Sequence, residues 1–97
     1  MKTIVYRIYT ENTPEYRKSA RRLLSVYVDG WTELDGIGVW RGNVERSLVF
    51  EIVDVAQVFG RAACRDVCRL IAAENNQEAV LWTVGAVDAG LEPGECS

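Results

Sequence analysis

The sequence predicts an α+β fold in which two helices cover one face of a four-stranded antiparallel sheet. Three observations lead to this prediction. Strand-like alternation and helix-like periodicity follow one another along the chain in the order βαββαβ. The stretch 36–52 has the pattern of two strands joined by a tight turn at Gly42-Asn43. With 97 residues, 48% of them hydrophobic, the chain has the size and composition of one domain with its own core.

The order of the elements is that of the ferredoxin-like split βαβ arrangement. Right-handed crossovers then favour the strand order 4-1-3-2, with both helices on one face of the sheet. We expect this domain to span residues 1–84. Residues 85–97 are rich in glycine and acids and predict an acidic, flexible tail.

The first strand and the first helix have clear local signals. Lys2–Thr10 alternates between apolar and polar residues as a strand does. Thr13 can cap the following helix, and Pro14 suits the first helical position. We expect this helix to run to about Val28, where Asp29-Gly30 ends it.

The central hairpin is predicted to have a type II′ turn, because Gly42 comes first in the proposed two-residue loop. This register pairs Trp40 with Glu45 and Ile37 with Leu48. The face of the hairpin that is predicted to point away from the core is mixed in polarity and is flat where Gly36 and Gly38 lie. The side predicted to face the core collects the apolar residues Ile37, Val39, Val44, Leu48, Phe50 and Ile52.

The second half of the chain predicts a helix and a final strand. Asp54 can cap a helix from about Val55 to Glu74, and Asn75-Asn76 ends it. The last strand is expected at Gln77–Val84. Its pattern leaves open which set turns to the uncovered face: Ala79, Leu81 and Thr83, or Val80, Trp82 and Val84.

The charge balance and the hydropathy exclude several partners. The net charge is −3, and the acids that exceed the bases all lie in the tail, at Asp88, Glu92 and Glu95. A neutral body disfavours nucleic-acid binding, and the strand 48–53 lacks the basic-aromatic pattern of RNA-binding sheets. No apolar run reaches the ~20 residues that span a bilayer. We expect a cytoplasmic protein that contacts neither nucleic acid nor membrane.

Metal, cofactor and catalytic signals are weak. The chain has no histidine, and Cys64 and Cys68 lie four apart on a helix, which predicts small packed thiols rather than a zinc site. No nucleophile or phosphate-loop motif is present. The sequence therefore predicts no metal site, no cofactor and no catalytic residue, with Glu45 as the one acid worth testing.

The predicted topology brings polar residues and aromatic rings to one end of the sheet. A planar ring of a ligand could stack on Trp40 or Tyr9, and Arg41 could bind an anionic group of that ligand. The side-chain amides could form hydrogen bonds with its polar edges. The alternative is that these are turn and capping residues on a solvated rim. The predicted ligand-binding residues are Tyr9, Asn12, Trp40, Arg41, Asn43, Glu45, Asn76, Gln77 and Glu78.

Two further surfaces are candidates for contacts between proteins. The uncovered sheet face predicts a homo-oligomer, and a pair such as Arg7 with Glu51 could lie inside that contact. The second helix carries Arg61, Arg65 and Arg69 on one side. These arginines are expected to form a solvated face, to bind an acidic protein partner, or to bind an anion at a contact between subunits.

Two motifs carry a resemblance to a family. The chain resembles a group of small uncharacterised phage and bacterial proteins with the pattern Gly-x-Trp-x-Gly-x-x-Glu-x-Ser-Leu-Val-x-Glu-Ile, followed by Asn-Asn-Gln-Glu-Ala-Val-Leu. The matching residues are Gly38, Trp40, Gly42, Glu45, Ser47, Leu48, Val49, Glu51 and Ile52, and then Asn75 to Leu81. The resemblance implies a phage-type role: sequestering a nucleotide-derived signal, or blocking a host defence protein by direct contact.

The sequence thus predicts a non-enzymatic oligomer that binds a small, nucleotide-like ligand. The alternative is an inhibitor or adaptor that binds another protein through surface contacts.

Overall fold

The computed structural model describes residues 1–94 and has the ferredoxin-like fold. The sheet order is β2-β3-β1-β4 with antiparallel neighbours, which is the predicted order read from the other edge. Both helices pack on one face of the sheet, as predicted. The elements in chain order are β1 (Lys2–Glu11), α1 (Pro14–Tyr27), β2 (Thr32–Trp40), β3 (Asn43–Asp54), α2 (Gly60–Glu74) and β4 (Leu81–Asp88).

The start of α1 confirms the predicted cap. The Thr13 hydroxyl accepts a hydrogen bond from the Tyr16 backbone N–H at 3.2 Å, and Pro14 occupies the first turn, where no partner for its nitrogen is needed. The helix ends where Val28 turns to extended backbone while its N–H still reaches the Leu24 carbonyl at 2.9 Å.

The predicted hairpin register was wrong by two residues. The turn lies at Arg41-Gly42, and Trp40 pairs with Asn43. Both turn residues have positive φ, 49° and 80°, which is the type I′ geometry whose twist matches that of the flanking strands. Because the change is even, every side chain keeps its predicted face.

The apolar face of the hairpin is only half buried, which corrects the predicted core. Leu48, Phe50 and Ile52 are buried, whereas Ile37, Val39 and Val44 are 76%, 68% and 70% exposed. The last pair between β1 and β3 joins Glu11 to Ser47, so within residues 1–94 the ribbon beyond it has neither a third strand nor a helix beside it. The hairpin therefore projects from an elongated molecule of 48 × 26 × 24 Å.

The second helix begins five residues later than predicted. The N-cap position is Phe59, not Asp54, and its side chain makes no capping hydrogen bond. The Asp54 carboxylate instead accepts hydrogen bonds from the N–H groups of Val58, Phe59 and Gly60 at 2.9 to 3.3 Å. The residues between Asp54 and Gly60 form a turn, with Gln57 at positive φ. The carboxylate thus organises the loop that leads into α2.

The last strand lies four residues further along the chain than predicted. Residues 75–77 close α2 instead, because the Gln77 N–H donates to the Ala72 carbonyl at 2.8 Å and Asn76 is left-handed, with φ 54°. Residues 85–88, which the sequence placed in the tail, extend β4 along β1 as far as the Lys2–Asp88 pair.

The core lies between the sheet and the two helices. Trp82 and Val84 of β4 pack against it, which settles the face of this strand and leaves Leu81 and Thr83 on the uncovered side. Cys64 and Cys68 are both buried on α2, as predicted.

Within residues 1–94 neither helix has the length and apolar character needed to cross a membrane. The same residues contain no group of three acidic, cysteine or histidine side chains placed to hold a metal ion.

Candidate functional site

The uncovered sheet face carries a flat patch at its centre, on β2 and β3. Gly36 lies opposite Ser47, and a Cβ added at Gly36 would stand 3.4 Å from the Ser47 hydroxyl oxygen. Gly38 is the next residue on this face, and a Cβ added there would stand 3.8 Å from the Ser47 Cβ. These three residues, which we call the platform, let a planar group approach the backbone closely.

Aromatic side chains stand on two sides of the platform. Trp40 lies two residues beyond Gly38 on the same face and is 66% exposed. The Arg41 guanidinium lies 5.9 Å from the centre of the indole ring, a cation–π contact that steadies the ring at the hairpin tip. Tyr9 lies on β1, between Val49 and Leu81 on the neighbouring strands. Both rings can offer a face to a planar ligand.

The charge beside the platform is negative. Glu45 lies opposite Gly38, and Glu11 lies opposite Ser47, so the two exposed carboxylates are diagonal neighbours on one face. Arg7, the cation that β1 places on this face, is paired with Glu51, with Nε 2.8 Å from Oε2. The surface next to the platform therefore favours a ligand that carries positive charge.

An open groove of about 300 Å³ adjoins the platform where the hairpin leaves the body of the sheet. Asn12 lies in this groove, but its side-chain amide is already engaged: it donates to Asp35 at 2.5 Å and accepts from Arg17 at 3.2 Å. Its backbone N–H donates to the Arg46 carbonyl. Asn12 thus holds the base of the hairpin. The charged side chains that line the groove are the carboxylates of Glu11 and Glu45 and the guanidinium of Arg46.

The structure divides the predicted site residues into two groups. Tyr9, Trp40, Asn43 and Glu45 share the uncovered face, with Arg41 in the adjoining turn and Asn12 in the groove. The remaining three precede β4, which pairs with the strand of Tyr9 but lies at the opposite edge of the sheet from β2, the strand of Trp40. With strands about 4.8 Å apart, some 14 Å of sheet separates the two edges.

The residues of the second group have local backbone functions. Asn76 and Gln77 close α2. Glu78 lines a different groove, between α2 and β4. That all nine residues bind one ligand remains a prediction. The predicted site residues did not include Ser47, nor Glu11, which the predicted topology had placed at the same end of the sheet as Glu45. The register between β1 and β3 pairs Glu11 with Ser47.

A half-buried carboxylate secures the strand that carries the platform glycines. Glu33 of β2 accepts hydrogen bonds from Arg21 and Arg17 of α1, at 2.8 and 2.7 Å, and from the Trp31 indole N–H at 3.0 Å. The Arg21 hydrogen bonds are the main cause that lowers the pKa of Glu33 to about 2. Glu33 is therefore charged at neutral pH and anchors β2 to α1.

The sequence matches no family model and no curated protein. Solved structures share its fold. A DUF3240 family protein from Shewanella baltica is 12% identical, with a TM-score of 0.61 over 98% of this chain and 97% of the other. The Bacillus subtilis GlnK–ATP complex is 18% identical, with a TM-score of 0.61 over 89% of this chain and 82% of the other.

A phage SAM lyase in its apo state is 14% identical, with a TM-score of 0.55 over 95% of this chain and 94% of the other. At these identities the likeness establishes the fold.

Proposed function

We propose that this protein is a non-enzymatic, self-associating domain that binds an adenosine derivative with a cationic group. The observation that carries the proposal is the platform of Gly36, Gly38 and Ser47, which lies between an exposed indole and two carboxylates. The adenine would lie on the platform against Trp40, and the cation would lie beside Glu45.

The fold neighbours support an adenosine compound. One is named as a GlnK complex with ATP, and another as a lyase of SAM, which is S-adenosylmethionine. Both compounds contain a flat purine and a ribose. A flat ring suits a glycine surface with an aromatic side chain at its rim, since stacking needs area and close approach.

The charges beside the platform favour a sulfonium or amine over a polyphosphate. Glu11 and Glu45 lie on the same face as the platform, and Arg7 is neutralised by Glu51. In this proposal Arg41 at the hairpin tip would meet a single carboxylate of the ligand. A triphosphate would meet two like charges at close range, and such repulsion costs affinity.

Self-association is supported by apolar surface on both sides of the hairpin. Ile37, Val39 and Val44 are exposed on one side, and Trp40 on the other. A two-stranded ribbon with apolar faces is marginal in water by itself, and exposed apolar patches usually mark contacts. A second copy seated against the hairpin and the uncovered face would cover these residues.

The resemblance to small phage proteins supports a biological role for this binding. A phage-type protein of this kind would sequester a nucleotide-derived signal of the host and thereby act against its defence. The proposal concerns capture of the ligand, and it predicts that the bound compound is released unchanged.

Calorimetry with three ligands tests the proposal. We expect S-adenosylmethionine to bind about tenfold more tightly than S-adenosylhomocysteine, which lacks the sulfonium charge, and ATP to bind more weakly than either. Trp40→Ala and Glu45→Gln should each weaken binding about tenfold, whereas Asp88→Asn, an exposed acid on β4, should leave it unchanged. Equal affinity for all three compounds, or unchanged binding in both site variants, would contradict the proposal.

The same samples test for turnover. After long incubation with a saturating amount of protein, mass spectrometry should recover intact S-adenosylmethionine. Products that form with the natural protein and disappear in Glu45→Gln would make Glu45 a catalytic acid or base and replace binding by lyase chemistry.

An inhibitor or adaptor that binds another protein is the second candidate function. The observation in its favour is the arginine face of α2. Within the described part of the chain Arg61 and Arg65 take part in no ion pair, and Arg69 reaches Asp66 only at 3.7 Å. Pull-down from a host lysate, repeated with Arg61, Arg65 and Arg69 reversed to Glu, tests this surface.

A further inference from the structure

A second groove lies far from the platform, between α2 and β4, with a volume of about 250 Å³. Its helix side presents Arg65 and Arg69 at the rim and the small residues Cys68 and Ala72 between them. Its strand side presents Val80 and Trp82, both half-buried. The groove thus combines an apolar floor with a positively charged rim.

The strand that borders this groove has a free edge. In the described residues β4 pairs with β1 alone, so the backbone groups on its other side have no strand beside them. An open edge next to an apolar groove is the arrangement that accepts an extended segment, with main-chain hydrogen bonds along the edge and side chains in the groove.

The charges at the rim select an acidic segment. Arg65 has no ion-pair partner in residues 1–94, and the Arg69–Asp66 contact is long and solvent-exposed. Glu78 is the acid that lines the same groove, so two guanidinium groups outweigh one carboxylate. A glutamate in a docked segment would gain two cationic neighbours.

We infer that this groove receives the C-terminal segment Ala89–Gly94 of a second copy of the chain. Leu91 would fill the apolar floor at Val80 and Trp82, and Glu92 would meet Arg65 and Arg69. Leu91 is 91% exposed in the single chain, the largest exposure among the large apolar residues that the structure describes. Pro93 restricts Glu92 to extended backbone, the conformation that pairing with a strand edge requires.

The charge distribution of the sequence supports the same pairing. Residues 1–84 contain equal numbers of acids and bases, and the excess acids follow them. A neutral body with a charged rim and an acidic end can therefore associate head to tail without net repulsion between copies.

Chain length favours a segment from another copy over the same one. The segment leaves β4 at Asp88, whereas Trp82 lies six residues back along the strand, about 20 Å away. Three residues lead from Asp88 to Leu91, and they span at most about 11 Å. The Leu91 side chain therefore falls short of the floor of its own groove.

Photo-crosslinking in an isotope mixture tests this inference. A photoreactive phenylalanine replaces Leu91 in unlabelled protein, which is mixed with ¹⁵N-labelled natural protein and irradiated. We expect mixed-isotope products that join position 91 to peptides containing Arg65–Ala72 or Val80–Trp82. Products within one chain, products on other surfaces, or no product at all would overturn the inference.

Charge reversal adds a control for the groove itself. Glu92→Lys alone, and Arg65→Glu with Arg69→Glu, should each lower the mixed crosslink yield about tenfold. Mixing the two variants should restore it, since each segment then finds a rim of opposite charge. These are exposed positions, and circular dichroism checks that both variants fold. A yield that is unchanged by reversal, or is not restored by mixing, would assign the groove to another occupant.

Discussion

The Arg21 guanidinium binds both carboxylate oxygens of Glu33, with Nε 2.8 Å from Oε2 and Nη2 2.8 Å from Oε1. This bidentate contact joins α1 to β2, the edge strand that carries the platform glycines. The Trp31 indole N–H donates to the same carboxylate. Glu33 thus fixes the position of the edge strand β2 together with Asp35, which accepts hydrogen bonds from Asn12 and Arg17.

Glu33 should make the protein sensitive to acid. Its pKa of about 2 lies below the value of about 4.3 in an unfolded chain, so its contribution to stability is complete above pH 4.3 and is lost as the pH falls towards 2. We expect Glu33→Gln to lower the free energy of unfolding at pH 7 by about 1–2 kcal/mol, since the half-exposed Arg21 is screened by water. Urea titrations at several pH values measure this effect.

The difference between Glu33→Gln and the natural protein should shrink as the pH approaches 2. Asp88→Asn is the matched control, because Asp88 pairs with Lys2 at 3.2 Å but both side chains are highly exposed. We expect its effect to stay within about 0.5 kcal/mol. A pH-independent loss in Glu33→Gln would mean that packing, rather than charge, explains it.

Arg41→Asn should stabilise the hairpin. Arg41 holds a φ of 49°, a left-handed conformation that costs most side chains roughly 1 kcal/mol and that asparagine adopts more readily. We expect a gain of about 0.5 kcal/mol and a Tm higher by a few degrees, after loss of the contact with Trp40. Arg46→Asn, the same exchange within β3, should give no gain. Equal Tm changes in both variants would show that turn geometry is not the cause.

Tyr16→Phe should be neutral or stabilising at pH 7. The Tyr16 hydroxyl is buried without a hydrogen-bond partner in residues 1–94, so its removal relieves an uncompensated desolvation. Burial, helped by the charge of Glu11, raises the pKa of Tyr16 to about 12.

The natural protein should therefore lose stability as the pH rises from 10, the unfolded value, towards 12, and Tyr16→Phe should lose less. Thermal unfolding between about pH 9 and pH 11.5 measures this difference. Tyr27→Phe, at a half-buried tyrosine, is the control. Parallel pH curves for Tyr16→Phe and the natural protein would contradict the assigned pKa.

Gly38→Val should separate ligand binding from stability. The backbone of Gly38 is extended strand, and a Cβ there would meet Ser47 only at 3.8 Å, so a branched side chain fits. We expect stability to rise by about 0.5–1 kcal/mol, because glycine weakens a strand. The valine would cover the platform and lower ligand affinity at least tenfold.

Gly30→Ala controls for the loss of a glycine away from the platform, since nothing lies within 4 Å of the added Cβ. Calorimetric titration and melting curves on the two variants decide the outcome. Binding that survives in Gly38→Val would remove the platform from the site.

Local chemistry explains which parts of the fold could be predicted. The cap at Thr13-Pro14 and the alternation of β1 fix both elements within a residue or two. The turn was misplaced because a glycine suits both hairpin turn types, and only the twist of the strands selects Arg41-Gly42. The β4 boundary was misplaced because a glycine such as Gly85 is typical of a break, although its backbone pairs with Val5.

The candidate site was harder to predict than the fold. Topology correctly grouped Trp40, Glu45 and Tyr9 on one face, since side-chain alternation is a local property. The predicted strand order already put β2 and β4 at opposite edges, but it gave no distance, and the ~14 Å between these edges separates residues that a single ligand would have to span. The hydrogen bonds of Asn12 with Asp35 and Arg17 join three separate segments of the chain, so the sequence pattern of no single segment could predict them.

The projecting hairpin also bears on how much of the protein a cell must make. A newly synthesised copy holds Ile37, Val39 and Val44 in water beside unpaired strand edges, which chaperones and proteases recognise. In the proposed assembly a second copy covers these residues and edges. By mass action, a larger fraction of the chains is then assembled and protected from proteolysis as the protein concentration rises. The surviving amount would then increase more steeply than the rate of synthesis, so that weak expression yields little protein and strong expression a persistent pool.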